Sequence, residues 1–471
     1  MQLIYIKEDK YQYDIHSLYK AFYPDQDVKV VVGKSGTADL SGLDISASDE
    51  ISFIDVKKSK NDLKRDIYLE LSGKTGKILP WGDLTGIRPT RIAMNLIEEG
   101  KSDEEIADYM KNTYLVSDEK TRLAIDIARR EKRILSNIDY ENGYSLYIGI
   151  PFCPTTCLYC SFTSYPIGRF KGMVGDYITC LEKEIDYVAG DFEGKVPDTV
   201  YIGGGTPTTL EPDEMRRLIW YLRSKVDLSH IKEFTVESGR PDSFTKDKLR
   251  AMKEMGVTRI SVNPQTMNDE TLRLIGRQHT VAELIDAFHM ARDEGFDNIN
   301  MDIILGLPGE DAGDVAHTMM EIEKLAPDDL TVHSLAIKRG SRLYEVIRQK
   351  ELSGEVKHTL QESINNTEEM MKIAAEGAAA MGLKPYYLYR QKNISGNFEN
   401  TGYAKEGRAG IYNILINEEV QSIVALGAGT VTKRVFGEAG RIERCDNVKD
   451  VKLYIDCCDE MIERKRRLFA L

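Results

Sequence analysis

Three cysteines within eight residues constrain this chain more than any other feature of its sequence. Cys153, Cys157 and Cys160 come just after an apolar, strand-like run around Tyr147. Iron–sulfur clusters are held by cysteine thiolates, and a 4Fe-4S cluster presents four irons to its ligands. Three clustered cysteines therefore leave one iron without a protein ligand, and that iron is free to bind a substrate or a cofactor.

Other cysteine chemistries fit this spacing less well. A structural zinc site needs four ligands, and the next thiol, Cys180, lies in a separate apolar-periodic segment. The chain has seven cysteines, an odd number, and Cys457 and Cys458 are adjacent, so we expect no disulfide framework. No signal peptide is recognisable, which predicts a reducing, cytoplasmic location. The cysteines outside the cluster motif, Cys445 included, are expected to be buried and chemically silent.

Length and charge exclude several classes of function. At 471 residues the chain is expected to form two or three structural units. No apolar run approaches the roughly 20 residues that a transmembrane helix needs. The net charge of −13 argues against a nucleic-acid partner, because phosphate binding favours a basic surface. An anionic substrate would need a local cluster of Arg and Lys that outweighs this overall charge.

The hydrophobic pattern divides the chain into three predicted regions, residues 1–140, 141–375 and 376–471. The first combines strand-like runs at 3–6, 28–32, 51–56 and 66–71 with helices at 102–112 and 117–135. From Tyr144 onward, strand candidates alternate with long amphipathic helices, which predicts parallel β/α units. The six strand candidates of this second region are residues 144–150, 199–203, 232–237, 258–263, 298–304 and 329–335.

Polar or glycine-rich motifs follow these strand candidates, at the end where β/α barrels carry their chemistry. The cysteine loop follows the first strand, and Gly203–Thr208 follows the second, where glycines let the backbone approach a ligand closely. Later strands end near Glu237, Gln265 and Asp302. Arg277 is a candidate for binding a ligand carboxylate, because a guanidinium can grip one through two parallel hydrogen bonds.

The spacing of the three cysteines resembles that of the radical S-adenosylmethionine (SAM) superfamily. The resemblance implies a 4Fe-4S cluster whose open iron is chelated by SAM. It also implies an α/β fold, a partial (β/α)6 TIM-like barrel that is open on one side. We therefore predict such a barrel with an N-terminal α/β appendage and a C-terminal covering region.

Four phrases are similar to the oxygen-independent coproporphyrinogen III oxidase family, and this resemblance extends over residues 144–435. The phrases are Gly203–Thr208, Gly256–Gln265, Leu274–Thr280 and Asp302–Gly309. Within that family, Trp81–Pro89 and Cys157–Phe162 look most like the coproporphyrinogen dehydrogenases of the HemZ type.

Carried over residue by residue, the resemblance implies that Cys153, Cys157 and Cys160 bind the cluster. The residues implied to flank the cluster or to contact SAM are Tyr147, Tyr159, Gly204, Gly205, Thr206, Glu237, Gln265, Arg277 and Asp302. The sequence departs from the best-known branch of the family at one position. That branch has a further cysteine two positions after the third cluster ligand, where this chain has Phe162, so a role tied to that cysteine does not transfer.

The activity implied by the resemblance is the oxidative decarboxylation of coproporphyrinogen III to protoporphyrinogen IX in porphyrin and haem biosynthesis. An electron passed through the cluster cleaves SAM to methionine and a 5'-deoxyadenosyl radical, which abstracts a hydrogen from the β-carbon of a propionate. Loss of carbon dioxide and one more electron then leaves a vinyl group. The resemblance also implies a tetrapyrrole substrate and a reduced electron donor such as flavodoxin or ferredoxin.

Two alternatives stay open, a radical SAM methyltransferase or ring-opening enzyme acting on haem, and a haem chaperone without catalysis. The cationic candidates for binding substrate carboxylates are Arg240, Arg339 and Arg390. The aromatic candidates for packing on a flat tetrapyrrole are Tyr386, Tyr387 and Tyr389. His279 and His289 are interpreted as structural residues rather than haem ligands.

Overall fold

The structure, a computed structural model, describes residues 1–24, 26–33, 50–86, 88–353, 366–391, 398–437 and 440–471. Its strands are β1 Gln2–Ile6, β2 Val28–Val32, β3 Glu50–Ile54, β4 Tyr144–Ile150, β5 Phe152–Cys153, β6 Tyr165–Pro166, β7 Pro197–Gly204, β8 Glu233–Val236, β9 Arg259–Ser261, β10 Ile299–Leu305, β11 Asp329–Ser334, β12 Lys384–Tyr389, β13 Asn400–Ala404, β14 Ile423–Leu426, β15 Val431–Phe436 and β16 Arg441–Asp446. Its α-helices are α1 Gln12–Phe22, α2 Lys60–Thr75, α3 Thr90–Glu98, α4 Asp103–Tyr114, α5 Asp118–Leu135, α6 Ile167–Phe170, α7 Val174–Asp191, α8 Pro212–Lys225, α9 Lys246–Glu254, α10 Asp269–Leu274, α11 Val281–Asp293, α12 Ala312–Leu325, α13 Arg342–Ser353, α14 Glu368–Ala380, α15 Ile411–Glu418, α16 Val451–Asp456 and α17 Cys458–Ala470.

The first region begins with a small parallel sheet in the order β2-β1-β3. Helices α1 and α2 pack against it, and α3, α4 and α5 form a separate cluster around the buried Trp81. The predicted helices 102–112 and 117–135 are confirmed as α4 and α5, and Ser117 caps α5 by accepting a hydrogen bond from the backbone N–H of Lys120.

The predicted strand at residues 66–71 is wrong, because this segment lies inside α2. Its apolar residues alternate over a short window, but Leu63, Ile67 and Leu71 are spaced four apart and are all buried against the small sheet. Ser59 begins the helix by accepting a hydrogen bond from the backbone N–H of Asp62. The helical period therefore prevails over the local alternation.

The central sheet contains six adjacent parallel strands in chain order, β4, β7, β8, β9, β10 and β11. Each is followed by at least one helix, from α7 after β4 to α13 after β11. All six strand predictions are confirmed. Strand β4 is almost wholly buried on both faces, as expected of a parallel strand with a helical layer on one side.

The helices cover this sheet through apolar stripes of helical period. In α7 this stripe is buried, and its members are Val174, Tyr177, Ile178, Leu181, Ile185 and Val188. The stripe of α8 is buried in the same way. These side chains join the strands in the largest hydrophobic cluster of the described residues.

Strands from residues 376–471 extend the sheet at both edges. Beyond β11 the order continues with β13, which is antiparallel to β11, and then with β12, which is antiparallel to β13. Beyond β4 it continues with β14, which is parallel to β4. Strand β15 is antiparallel to β14, and β16 is antiparallel to β15. The sheet curves into an α/β barrel that stays open between β12 and β16, which confirms the predicted fold class.

A fully buried ion pair joins α7 to α17 on the outer side of the sheet. The Lys465 ammonium donates to Glu184 Oε1 at 2.6 Å, and both side chains are fully buried. The other carboxylate oxygen, Oε2, accepts from the Tyr454 hydroxyl at 2.6 Å and from the backbone N–H of Gly427 at 2.7 Å. Asn447 donates to Oε1 as well, so both oxygens of this buried carboxylate are satisfied.

None of the helices in the described part of the chain is long and apolar enough to span a membrane.

Candidate active site

A cavity of about 250 Å³ lies where the carboxyl ends of the six parallel strands meet the cysteine loop. The predicted site residues that line it are Cys153, Cys157, Tyr159, Cys160, Gly204, Gly205, Thr206, Glu237, Gln265, Arg277 and Asp302. Tyr147 does not line it. Its ring stacks with Tyr201 and Tyr412, with ring centroids 6.0 and 6.1 Å away, so the role predicted for Tyr147 lacks a contact with the cavity.

Backbone hydrogen bonds from other loops fix the cysteine loop in place. The N–H of Leu158 donates to Ile275 O and the N–H of Leu343 donates to Leu158 O, each at 2.9 Å. The Thr155 hydroxyl donates to the carbonyl of Gly276 at 3.1 Å. The loop that presents the three thiols is therefore held by elements that follow β9 and β11.

The glycine turn after β7 lets the cysteine loop pack directly on it. A Cβ atom at Gly205 would lie 2.5 Å from Phe152 O and 3.0 Å from Cys153 Sγ, closer than atoms can approach. The neighbouring Thr206 hydroxyl donates to Cys153 Sγ at 3.5 Å. A side chain at position 205 would thus push the first cysteine away from the glycine turn.

Burial sets the protonation of two of the thiols. It raises the pKa of Cys153 to about 11, against the opposing hydrogen bond from Thr206. Burial also raises the pKa of Cys160, although the backbone N–H of Phe162 is directed at its sulfur. Both thiols are protonated at neutral pH in the absence of metal, so binding of iron must displace their protons.

Arg240 anchors the cysteine loop, which contradicts its predicted role in binding substrate carboxylates. Its guanidinium pairs with Asp242 at 2.6 Å and donates to both oxygens of Thr155. A further N–H points at Cys157 Sγ, 3.6 Å away. Arg240 is 4% exposed, so its donors are directed at the protein.

The other two arginine candidates do not line the cavity, whereas Arg240 does. Arg390 is buried, and its guanidinium donates to Leu84 O at 2.6 Å, which ties β12 to the first region. Burial lowers its pKa to about 10. Arg339 is exposed and does not line the cavity.

Glu237 reaches the cavity from the end of β8. Its Oε1 accepts from the Tyr201 hydroxyl at 2.6 Å, and its Oε2 accepts from the backbone N–H of Gly204 at 3.3 Å. Burial, and in second place the charge of Asp302, raises the pKa of this carboxyl to about 7. It has lone pairs left to accept hydroxyl hydrogens of a ligand, and such hydrogen bonds favour its charged form.

Residues at the ends of β9 and β10 form a polar floor. The Asn263 amide donates to Asp302 Oδ2 at 2.6 Å, while its own Oδ1 is buried without a partner in the described part of the chain. Gln265 is 5% exposed and adopts a φ of 65°, a left-handed conformation that is uncommon outside glycine. Backbone hydrogen bonds with Asp302 and Ile304 hold it there.

Arg277 lines the cavity and is 6% exposed. Its guanidinium donates to Asn263 O at 2.6 Å and to Gly239 O at 3.2 Å, and a further N–H points at the Tyr159 hydroxyl. Its Nε is buried without a partner among the described residues. The terminal nitrogens of Arg277 thus bond neighbouring loops, and its Nε is left without a protein partner among the described residues.

Phe162, Lys338 and His333 are among the lining residues that were not predicted to have a role. Phe162 is 73% exposed on the cysteine loop, and Lys338 is exposed in the segment after β11. His333, on β11, places Nε2 3.9 Å from Asp302 Oδ1 and Nδ1 3.4 Å from the Tyr389 hydroxyl. Burial lowers the pKa of His333, so its ring is neutral at pH 7. No sequence signal marked Lys338 or His333, since neither belongs to a spaced motif.

The aromatic candidates separate into core and cavity residues. Tyr386 and Tyr387 are buried, and the Tyr386 hydroxyl donates to Asp329 at 2.8 Å in the interior of the sheet. These two tyrosines belong to a core cluster with Ile414 and Leu415, and neither lines the cavity. Tyr389, at the end of β12, lines the cavity.

The donor set fits an iron–sulfur cluster better than a single ion. No group of three His, Cys, Asp or Glu among the described residues converges on one metal position. In a 4Fe-4S cluster each thiolate binds a different iron, so the thiols lie around the cluster instead of meeting at a point. Asn263, Arg277 and Glu237 all line the cavity, and Asn263 Oδ1 and Arg277 Nε have no protein partner among the described residues. These polar groups suit a ligand that is both a nucleoside and an amino acid.

Comparisons with known proteins agree with this geometry. Residues 147–322 match the radical SAM superfamily. Over 421 residues, the chain is 40% identical to the oxygen-independent coproporphyrinogen-III oxidase-like protein HemZ of Bacillus subtilis, covering 87% of this chain and 81% of that protein. The chain belongs to the oxygen-independent coproporphyrinogen III oxidase family of radical SAM proteins. As a member of this superfamily it uses a 4Fe-4S cluster and SAM as its cofactors.

Two further relatives of this radical SAM protein differ in what their names state. It is 32% identical to the heme chaperone HemW of Bacillus subtilis over 320 residues, which covers 67% of this chain and 76% of that protein. Its fold is similar to that of coproporphyrinogen III oxidase (HemN) from Escherichia coli, with a TM-score of 0.53, 22% identity, and coverage of 70% of this chain and 73% of that one.

Proposed function

We propose that this radical SAM protein decarboxylates the propionates of coproporphyrinogen III to vinyl groups without oxygen, giving protoporphyrinogen IX. The observation that carries the proposal is one cavity that joins the cysteine loop to Glu237, Gln265, Arg277 and Asp302 and opens beside Phe162. The 40% identity to a coproporphyrinogen-III oxidase-like protein supports the same substrate class.

In this proposal the three thiolates hold the cluster, and the residues of the cavity orient SAM. Glu237 accepts hydrogen bonds from the ribose, while Gln265 and Arg277 bind the carboxylate end. The bound cofactors supply an electron-driven cleavage of SAM that removes one hydrogen atom from the substrate. The resulting substrate radical then loses carbon dioxide and passes one electron to an external one-electron acceptor, which leaves the vinyl group, so the overall change is an oxidation.

The chain's own contribution is to hold the reacting carbon close and to exclude water. Ile304, Leu335 and Ala336 contribute apolar side chains to the lining of the cavity. A primary carbon radical reacts with any nearby C–H bond, so its target must be fixed in position. A rigid cavity does this better than a loop, since orientation supplies much of the rate enhancement.

An anaerobic turnover experiment tests the proposal. Protein reconstituted with iron and sulfide is reduced and incubated with SAM and coproporphyrinogen III, and the products are identified by mass spectrometry. We expect 5'-deoxyadenosine together with loss of two carboxyl groups from the tetrapyrrole. A methylated tetrapyrrole as product would indicate a methyltransferase instead. A product with an opened ring would indicate a haem-degrading enzyme.

A haem chaperone is the second candidate, favoured by the 32% identity to heme chaperone HemW and by His333 in the cavity. Neutral imidazole is a common haem iron ligand. If this candidate holds, haem binds stoichiometrically, coproporphyrinogen III is not converted, and His333→Ala changes the visible spectrum of the bound haem. Turnover of coproporphyrinogen III with an unchanged haem spectrum in that variant would exclude it.

A further inference from the structure

The mouth of the cavity combines an exposed aromatic ring with a cation. Phe162 is 73% exposed, and Lys338 is exposed beside it on the segment that follows β11. Both line the cavity, and both adjoin Cys160: the N–H of Phe162 points at the Cys160 sulfur, and the Lys338 ammonium interacts electrostatically with that cysteine. Phe162 and Lys338 therefore both line the cavity near the same thiol, Cys160.

Lys338 has no acidic partner within ion-pair distance in the part of the chain that the structure describes. Other exposed lysines of the described residues do have such a partner, and Lys324, for example, pairs with Glu321 at 2.6 Å. The segment 338–342 carries three cations, Lys338, Arg339 and Arg342, and no acid, in a chain of net charge −13. The positive charge is therefore concentrated where an anionic ligand would enter.

The Phe162 side chain is likewise little covered by the rest of the protein. Most of its ring is in water, although the cysteine loop around it is well fixed by hydrogen bonds. An exposed large aromatic side chain on a rigid loop gains free energy if a flat apolar ligand covers it. A ring next to an unpaired cation suits a ligand that has both an aromatic face and a carboxylate.

We propose that Phe162 and Lys338 form the substrate-binding wall of the cavity, with the phenyl ring packed on a pyrrole ring and the ammonium paired with a propionate carboxylate. This inference rests on the proposed function and specifies its substrate contacts. It assigns the carboxylate to Lys338 in place of Arg240 and Arg390, whose guanidinium groups bond the protein. Anchoring one propionate at the mouth would turn another toward the cluster end of the cavity.

Direct binding of coproporphyrin III, the stable oxidised tetracarboxylate, to the reconstituted protein tests this wall without requiring turnover. We expect Lys338→Met to weaken binding by about five- to tenfold, with Lys338→Arg restoring most of it. Phe162→Ala should weaken binding by about tenfold, with Phe162→Tyr close to the parent. Binding to the parent should weaken with rising salt, and this dependence should be smaller in Lys338→Met.

Two matched controls lie far from the cavity. Lys195 is an exposed lysine in the turn before β7, at the opposite end of the strands, and Trp220 is a 65% exposed aromatic residue on α8. Lys195→Met and Trp220→Ala should bind coproporphyrin III like the parent. Equal affinity of Lys338→Met and Lys195→Met, or of Phe162→Ala and Trp220→Ala, would overturn the proposal.

The outcomes separate this inference from the proposed function. If the parent binds coproporphyrin III through Lys338 and Phe162 but does not decarboxylate coproporphyrinogen III, the wall is correct and the proposed reaction is wrong. If the parent turns over and the wall variants keep its KM, the reaction stands and the wall is wrong. If Lys338→Met loses iron or SAM cleavage but binds the porphyrin normally, Lys338 serves the cluster and the inference fails.

Discussion

Two glutamates in the same barrel, Glu184 and Glu237, occupy different kinds of interior. Glu184 is fully buried between α7 and α17, where both its oxygens are satisfied and an ammonium neutralises its charge. Glu237 lines the cavity, shares its oxygens with one hydroxyl and one backbone N–H, and has no cation paired with it among the described residues. The pKa of Glu237 rises to about 7 as a result.

The comparison separates structural from functional burial of charge. A charge removed from water is costly unless the protein supplies partners for it. Around Glu184 the protein supplies them all, and the region is closed. Around Glu237, Asn263 and Arg277 it leaves lone pairs and N–H groups unused, so a ligand is needed to complete them.

The sharpest test of this contrast compares a cysteine from each region. We expect Cys157→Ala to abolish cluster binding and 5'-deoxyadenosine formation, because an iron loses its ligand, while the unfolding transition of the apoprotein changes little. The matched variant Cys180→Ala removes a buried thiol on α7 and should keep both activities. Iron, sulfide and nucleoside analyses measure the difference. Retention of the cluster in Cys157→Ala would contradict the ligand assignment.

In the closed region, the largest effect should be on stability. Glu184→Ala leaves Lys465 as an uncompensated buried charge and should lower the free energy of unfolding by about 3–5 kcal/mol. Anaerobic urea titration followed by circular dichroism measures this. The double variant Glu184→Leu with Lys465→Met serves as control and should recover much of the loss, because no isolated charge remains. An equally unstable double variant would place the effect in packing instead.

In the open region, removing the carboxylate should affect ligand binding instead of folding. We expect Glu237→Gln to raise the KM for SAM by about tenfold, since a hydrogen bond to a charged acceptor is lost, and to leave stability unchanged or slightly higher. Isothermal titration with SAM under anaerobic conditions gives the affinity directly. If Glu237→Gln were as unstable as Glu184→Ala, the role of Glu237 would be structural.

The smallest expected effect is on pH dependence. Because the folded pKa of Glu237 is raised above its ordinary value of 4.5, the folded state binds more protons than the unfolded chain between that value and about pH 7. This group therefore makes the protein less stable as the pH rises through that window. Affinity for SAM should change in the opposite direction and improve as the carboxyl ionises near pH 7. Glu237→Gln should lose both trends, and their persistence would assign them to another group.

Sequence reasoning located the elements whose signals are local. The six strands of the barrel were predicted within about two residues, since each is a short apolar run flanked by turn residues and an amphipathic helix. The cysteine loop and the glycine turn were found because their residues are adjacent in the chain. That these motifs meet in one cavity follows from the rule that parallel strands place their carboxyl ends together.

Features that depend on long-range contacts were missed or misassigned. Arg240 resembles a carboxylate ligand in the sequence, but Asp242 and Thr155 occupy its donors. Lys338 gains its position from the turn after β11, and no spacing in the sequence reveals that it faces Cys160. The segment 66–71 was misread for a local reason, because a short alternation of apolar residues hides the four-residue spacing of Leu63, Ile67 and Leu71.

Strand β14 has a consequence for the order of events during synthesis. It pairs with β4 across more than 270 residues of sequence. In the segment that follows β14, Gly429 packs against Thr163 of the cysteine loop. A nascent chain that has emerged only through the sixth barrel strand has the three thiols but not the neighbour that supports their loop. A fragment that stops short of residue 423 should therefore capture iron poorly.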